Sequence, residues 1–322
     1  MCKLIFVSSA VLVAGCFSAG LKDGKDTLMT SISNKRLTVE IVNPNVESIY
    51  RGPRFEWSGM VSQVTLDGKH TFCRAASQHD PIVDGVGLAE EASEPLGFNE
   101  VGADGEFVKL GVGVLRRVNR EPYGFWKKYP VVDAPAFSVK TQKRSITHVQ
   151  TVSGPRGWAY RYTKTVALHK DDPVLTISHG LENIGTKPIK TTQYNHNFLL
   201  FNAAPIGPDY SMTLGFDPVT AEGTDFRGIV ELDGNTLLYP KVYEGKPLFV
   251  PIKGHNGLVE QNRIVVENRA FGTGVRIEGD FPLEKVYFFT TPQMICPEPF
   301  IAIRIEPGQT QQWTRKYTFF AK

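Results

Sequence analysis

The run Thr191-Thr192-Gln193-Tyr194-Asn195-His196-Asn197-Phe198-Leu199-Leu200-Phe201-Asn202 sets one imidazole among neutral amides on a strand-like stretch. Amides both donate and accept hydrogen bonds, as sugar hydroxyls require, and a histidine moves protons near neutral pH. The same pattern is also that of a core histidine hydrogen-bonded on a buried strand. A second stretch, Cys296-Pro297-Glu298-Pro299, places one carboxylate between two prolines, which restrict the backbone around it. A carboxylate and an imidazole facing one cleft can share acid and base duties.

Two further segments carry polar groups suited to a ligand. Tyr50-Arg51-Gly52-Pro53-Arg54-Phe55-Glu56-Trp57-Ser58-Gly59 has the Gly and Pro of a turn or bulge; Arg54 can donate to hydroxyls or carboxylates and Trp57 can offer a ring face to a sugar. Asp84-Gly85-Val86-Gly87-Leu88-Ala89-Glu90-Glu91 contains a Gly-x-Gly, but no strand-to-helix switch follows, so a nucleotide site is rejected. It reads as an acidic loop, solvated or carrying Glu90 and Glu91 to a cleft.

The elements that must position these residues are strands. Alternating runs recur through the chain, among them Leu37 to Ile41, Lys140 to Val152, Trp158 to Leu168, Pro173 to Leu181, Thr191 to Asn202, Arg263 to Glu278, Lys285 to Thr291 and Gln311 to Phe320. Turn chemistry separates many of them, as in Lys170-Asp171-Asp172-Pro173 and Asn183-Ile184-Gly185-Thr186-Lys187-Pro188. With 30 Gly, 21 Pro and almost no amphipathic helix, this predicts an all-β fold, a large antiparallel sandwich or barrel. The apolar fraction of 41% excludes disorder for most of the chain, and a net charge of +3 without a Lys/Arg cluster argues against nucleic acid.

Residues 1–20 read as an export signal, with Lys3 ahead of an apolar run too short to span a bilayer. That run ends in Leu12-Val13-Ala14-Gly15-Cys16, which resembles a bacterial lipobox and predicts lipid on Cys16, with residues 21–34 as a tether and 35–322 as one domain. The expected product is a periplasmic or cell-surface lipoprotein, touching the membrane only through its lipid; cleavage near Ala19 would instead give a soluble secreted protein. Cys73 and Cys296 remain after export, either bridged or as two buried thiols. No Cys pair has metal-site spacing, so a zinc ribbon is excluded and no cofactor is expected, while loop carboxylates could hold Ca²⁺.

Gln193 to Phe198 together with Cys296 to Pro299 resembles the aldose 1-epimerase, galactose mutarotase-like superfamily. The segments Lys164 to Phe198 and Tyr50 to Gly59 resemble it too, the latter where relatives place a substrate-binding Arg. The resemblance covers most of the chain after the signal. It implies a β-supersandwich around a sugar cleft and a mono- or oligosaccharide as ligand. One departure stands out: the segment from Gly85 to Phe98 holds Glu90, Glu91 and Glu94 where mutarotases usually offer a second His or other polar residue.

Interconverting sugar anomers requires one group to take the proton of the anomeric hydroxyl and another to protonate the ring oxygen, each contributing roughly two to four orders of magnitude. On this reading Glu298 is the base and His196 the acid, Arg54 holds the substrate, and Trp57, Gln193, Asn195 and Glu90 are further contacts. Two alternatives use the same cleft. One is a surface lipoprotein that binds glycan without chemistry; the other is a lyase or glycosidase relative, in which Glu90 or Glu91 would supply the second carboxyl.

Overall fold

Period-two alternation governs the molecule. In Val174–Asn183 every second side chain is buried, and in Ala159–Leu168 and Ser145–Ser153 the same half-and-half pattern holds. Such strands bury one face against a second layer. The protein is described by a computed structural model covering residues 28–44, 48–74, 79–219 and 226–322. The predicted signal, Cys16 and the tether up to residue 27 lie outside the described residues.

Among the described residues the first sheet has nine antiparallel strands. From one edge they run Met29–Ser33, Leu37–Val42, Val61–Leu66, Leu88–Ala92, Ile189–Asn197, Met294–Ile305, Lys285–Thr291 and Leu248–Ile252, with the short His70–Thr71 pairing Val61–Leu66. The second sheet has ten: Glu231–Asp233, Thr236–Leu238, Tyr210–Leu214, Arg263–Asn268, Thr273–Gly279, Thr310–Ala321, Val174–Asn183, Ala159–Leu168, Ser145–Ser153 and Ala136–Gln142. A small third sheet, Glu106–Lys109, Gly113–Arg116 and Val131–Asp133, completes the strands. The main core lies between the two large sheets, where Val39 and Val64 of the first share a cluster with Ile177, Val275 and Tyr317 of the second.

Five segments differ from expectation. Met29–Ser33, assigned to the tether, is an edge strand with Ile32 buried in the core; five residues among polar neighbours are too few to show their period. The run from Lys140 to Val152 is a hairpin turning at Lys143 and Arg144, and that from Arg263 to Glu278 is a hairpin as well. The strand expected to reach Asn202 ends at Asn197. The acidic loop is instead the strand Leu88–Ala92, every residue of which is buried.

The two glycines before that strand are steric requirements rather than a phosphate cradle. A Cβ on Gly85 would lie 2.6 Å from the Phe55 ring, and Gly87 has φ of 54° with the Val61 carbonyl oxygen 1.9 Å from where a Cβ would sit. Cys73 and Cys296 are buried free thiols.

Candidate functional site

Adjacent central strands of the first sheet carry His196 and Glu298. Ile189–Asn197 pairs with Met294–Ile305 from Ile189 opposite Ile305 to Tyr194 opposite Phe300. Two residues further in the same register, His196 falls opposite Glu298. The ladder stops short of them because neither Pro297 nor Pro299 has an N–H to donate. The side chain of Asn197 takes over part of the connection, donating to the Pro297 carbonyl at 2.7 Å. Cys296-Pro297-Glu298-Pro299 is therefore strand, not loop, and its partner on the other side is Lys285–Thr291, with Tyr287 opposite Glu298.

His196 Nε2 lies 3.2 Å from Glu298 Oε1. Both side chains are buried, yet both border a cavity of about 590 Å³. Aromatic rings enclose the imidazole: Phe198 stacks on it at 4.0 Å, while Phe55 and Phe289 approach edge-on at 5.7 and 5.6 Å. Nδ1 of His196 is buried with no hydrogen-bond partner among the described residues. Burial, and then the nearby Arg54 charge, hold the imidazole well below its usual range. Burial pushes the Glu298 carboxyl up to about 8; Arg54 pulls it down and Glu91 pushes it further up. Near neutral pH the pair consequently holds one proton, and it resides on Glu298.

Arg54 reaches the cavity wall held by two partners. It donates from Nε to Glu91 Oε2 at 2.7 Å and from Nη2 to the Tyr194 hydroxyl at 2.8 Å. That hydroxyl donates to the same Glu91 oxygen at 2.5 Å. Lys109, from the third sheet, donates to Glu91 Oε1 at 3.0 Å, to the Tyr123 hydroxyl at 2.9 Å and to the Ala92 carbonyl. The two cations keep Glu91 ionised, below its ordinary value, although burial alone would raise it. The Arg54 guanidinium also lies over the rings of Phe55 and Phe125, at 4.4 and 4.2 Å from their centroids.

Four residues expected at the ligand point elsewhere. On Ile189–Asn197 and its next residue, Tyr194, His196 and Phe198 share the cavity face, so Gln193 and Asn195 point between the sheets. Asn195 donates to the Tyr317 hydroxyl at 3.0 Å, and Gln193 accepts from Arg315 at 3.4 Å. Glu90 also points inward, ion-paired to Lys164 and lying 3.0 Å from His179 Nε2. Trp57 is a core side chain whose indole donates to the Gly52 carbonyl at 2.9 Å. The cavity residues that sequence reasoning left out are chiefly aromatic: Phe55, Phe125, Tyr194, Phe249, Tyr287 and Phe300. Glu91 was legible only as one of a pair.

No family model and no curated protein matches the chain. Solved structures do. An Escherichia coli K12 protein named for a suspected aldose 1-epimerase activity aligns with a TM-score of 0.60 at 13% identity, over 91% of this chain and 99% of its own. A galactose mutarotase-like protein from Lactobacillus casei gives 0.56 at 14% identity, over 91% and 100%. The GalM/aldose epimerase homologue from C. elegans gives 0.55 at 11% identity, over 91% and 98%. The fold is therefore that of the galactose mutarotase-like β-sandwiches, as the sequence resemblance implied.

Proposed function

We propose that the protein interconverts the anomers of a sugar by acid–base catalysis at the His196–Glu298 pair. The observation that carries this reading is the contact itself. A buried carboxyl and a buried imidazole lie 3.2 Å apart at the wall of a cavity, with Arg54 beside them. The likeness in fold to epimerase-named proteins agrees with it, but fold alone does not choose a reaction.

One shared proton suffices for the chemistry. The sugar displaces the direct His196–Glu298 hydrogen bond. In the first half-reaction Glu298 gives its proton to the ring oxygen as the C1–O5 bond breaks. His196 takes the proton of the anomeric hydroxyl as the C1 carbonyl forms. Rotation about C1–C2 presents the other carbonyl face, and the steps reverse. Residue roles thus begin opposite to those expected from sequence, because burial puts the resident proton on the carboxyl rather than the imidazole. Arg54, pinned by Glu91 and Tyr194, donates to a substrate oxygen without moving.

The test is anomeric exchange of a free aldose followed by magnetisation-transfer NMR. The purified protein should accelerate exchange above the buffer rate, and Glu298→Gln and His196→Ala should each lower kcat by roughly a hundredfold or more. Saturable sugar binding with no accelerated exchange, unchanged in Glu298→Gln, would leave a glycan-binding protein instead. We place the protein outside the cytoplasm with lipid on Cys16; Cys16→Ala should then move it from the membrane pellet to the soluble fraction.

A further inference from the structure

Three basic side chains, Arg54, Arg74 and Lys285, line the cavity together with Asp84, Glu91 and Glu298. Arg54 pairs with Glu91, which the fully buried Lys109 holds from behind the wall. Arg74 and Lys285 also line the cavity, and neither has a carboxylate within ion-pair distance among the described residues. Of the other acidic side chains on its wall, Glu298 keeps its proton at neutral pH, and Asp84 accepts the Asp80 backbone N–H. A partly exposed cation resting over aromatic rings can take an anionic ligand group as its counter-charge.

Position separates the two cations. Lys285 stands opposite Phe300, on the face of the sheet that carries Glu298, and Tyr287 stands opposite Glu298 itself. Lys285 is thus one pleat repeat from the proton-transfer pair, about 7 Å along the strand. Its ammonium lies 4.6 Å from the centroid of the Phe300 ring and 5.9 Å from that of Tyr287. Phe300 in turn stacks on Tyr194 at 4.2 Å, and Phe249 stacks on Tyr287 at 4.8 Å. These rings make a floor running from the pair towards the ammonium. A pyranose laid on it, with its anomeric carbon at His196 and Glu298, brings its far end to Lys285. Arg74 lies at the other end of the His196 strand, where its backbone N–H donates to the Phe198 carbonyl.

From this geometry we infer that Lys285 is a specificity-determining residue and that the preferred substrate is a sugar bearing an anionic group, carboxylate or phosphate, at the ring end remote from its anomeric carbon. The inference rests on the proposed sugar site but not on turnover. Ligand-observed NMR titration of the full chain with glucuronate, glucose 6-phosphate and glucose tests it and distinguishes the two anions. At least one acidic sugar should bind about ten-fold or more tightly than glucose at low salt, with the preference shrinking as salt rises. Lys285→Gln should abolish that preference with its melting temperature unchanged, and Lys285→Arg should retain most of it. Equal affinities, no binding of an acidic sugar, or a preference lost in Arg74→Gln but not in Lys285→Gln would overturn the assignment. An acidic preference without anomeric exchange would instead overturn the epimerase reading alone. Exchange of neutral sugars with no acidic preference would overturn this inference alone.

Discussion

Glu298 and His196 differ less in chemistry than in where burial leaves their common proton. A carboxyl pushed up to about 8 is protonated through neutrality, and an imidazole held well below its ordinary range is neutral there. In the proposed reaction the active form carries one proton on the pair. It is lost above about pH 8, when Glu298 ionises, and a second proton is gained only below the ordinary histidine range. Catalysed exchange should therefore be flat through neutrality and fall above about pH 8, after subtraction of the buffer rate. Arg54 lowers the Glu298 value, so Arg54→Gln should move the alkaline limb to higher pH as well as raise KM. A structural role alone for Arg54 would lower the melting temperature and leave the limb in place.

At the scale of the strand, a single period decides which polar residues meet a ligand. Leu88–Ala92 pairs with Ile189–Asn197 so that Glu91 stands opposite Tyr194 and Glu90 opposite Asn195. The first couple faces the cavity and the second faces the other sheet. Asn195→Ala should therefore leave KM unchanged. It should cost about 1–3 kcal/mol in urea denaturation, because the buried Tyr317 hydroxyl loses a donor. A rise in KM at unchanged stability would put Asn195 back at the ligand. The strands themselves were legible because alternation survives in sequence, and the His196 and Glu298 segments stood out by composition. Which of two adjacent glutamates faces the cavity was not legible, since the phase of Leu88–Ala92 is set by a partner about a hundred residues away. Burial of both was hidden for a similar reason: acidic pairs are normally solvated, and the compensating Lys109 and Lys164 come from other strands.

Across the whole molecule, the layer between the sheets holds charge as well as hydrocarbon. Lys164 of the second sheet is fully buried and ion-pairs with Glu90 of the first sheet and with Glu56 of the preceding loop. The Tyr162 hydroxyl donates to Glu56 at 3.0 Å, His179 contacts Glu90 at 3.0 Å, and Arg315 lies 3.9 Å from Glu90. One ammonium thus serves two carboxyls in unlike states. Burial would raise Glu90, but His179 and Lys164 hold it well below its ordinary value. Burial takes Glu56 up to about 8 against the pull of Lys164, with Glu90 pushing it further up. Replacing Lys164 with Met removes the charge while keeping a similar shape, and strands Glu90 beside Glu56. Breaking a buried pair in this way costs about 3–5 kcal/mol. The sign of its pH dependence follows from linkage. Without the ammonium both carboxyls titrate higher in the folded state, whereas in the unfolded chain they keep ordinary values. The folded variant then binds more protons than the unfolded chain between those limits, so its stability falls as pH rises. Urea denaturation of Lys164→Met against the parent should show a deficit that is larger at pH 9 than at pH 6. A deficit constant across that range would mean that the ammonium stabilises the sandwich by packing of its stem rather than by neutralising the two glutamates.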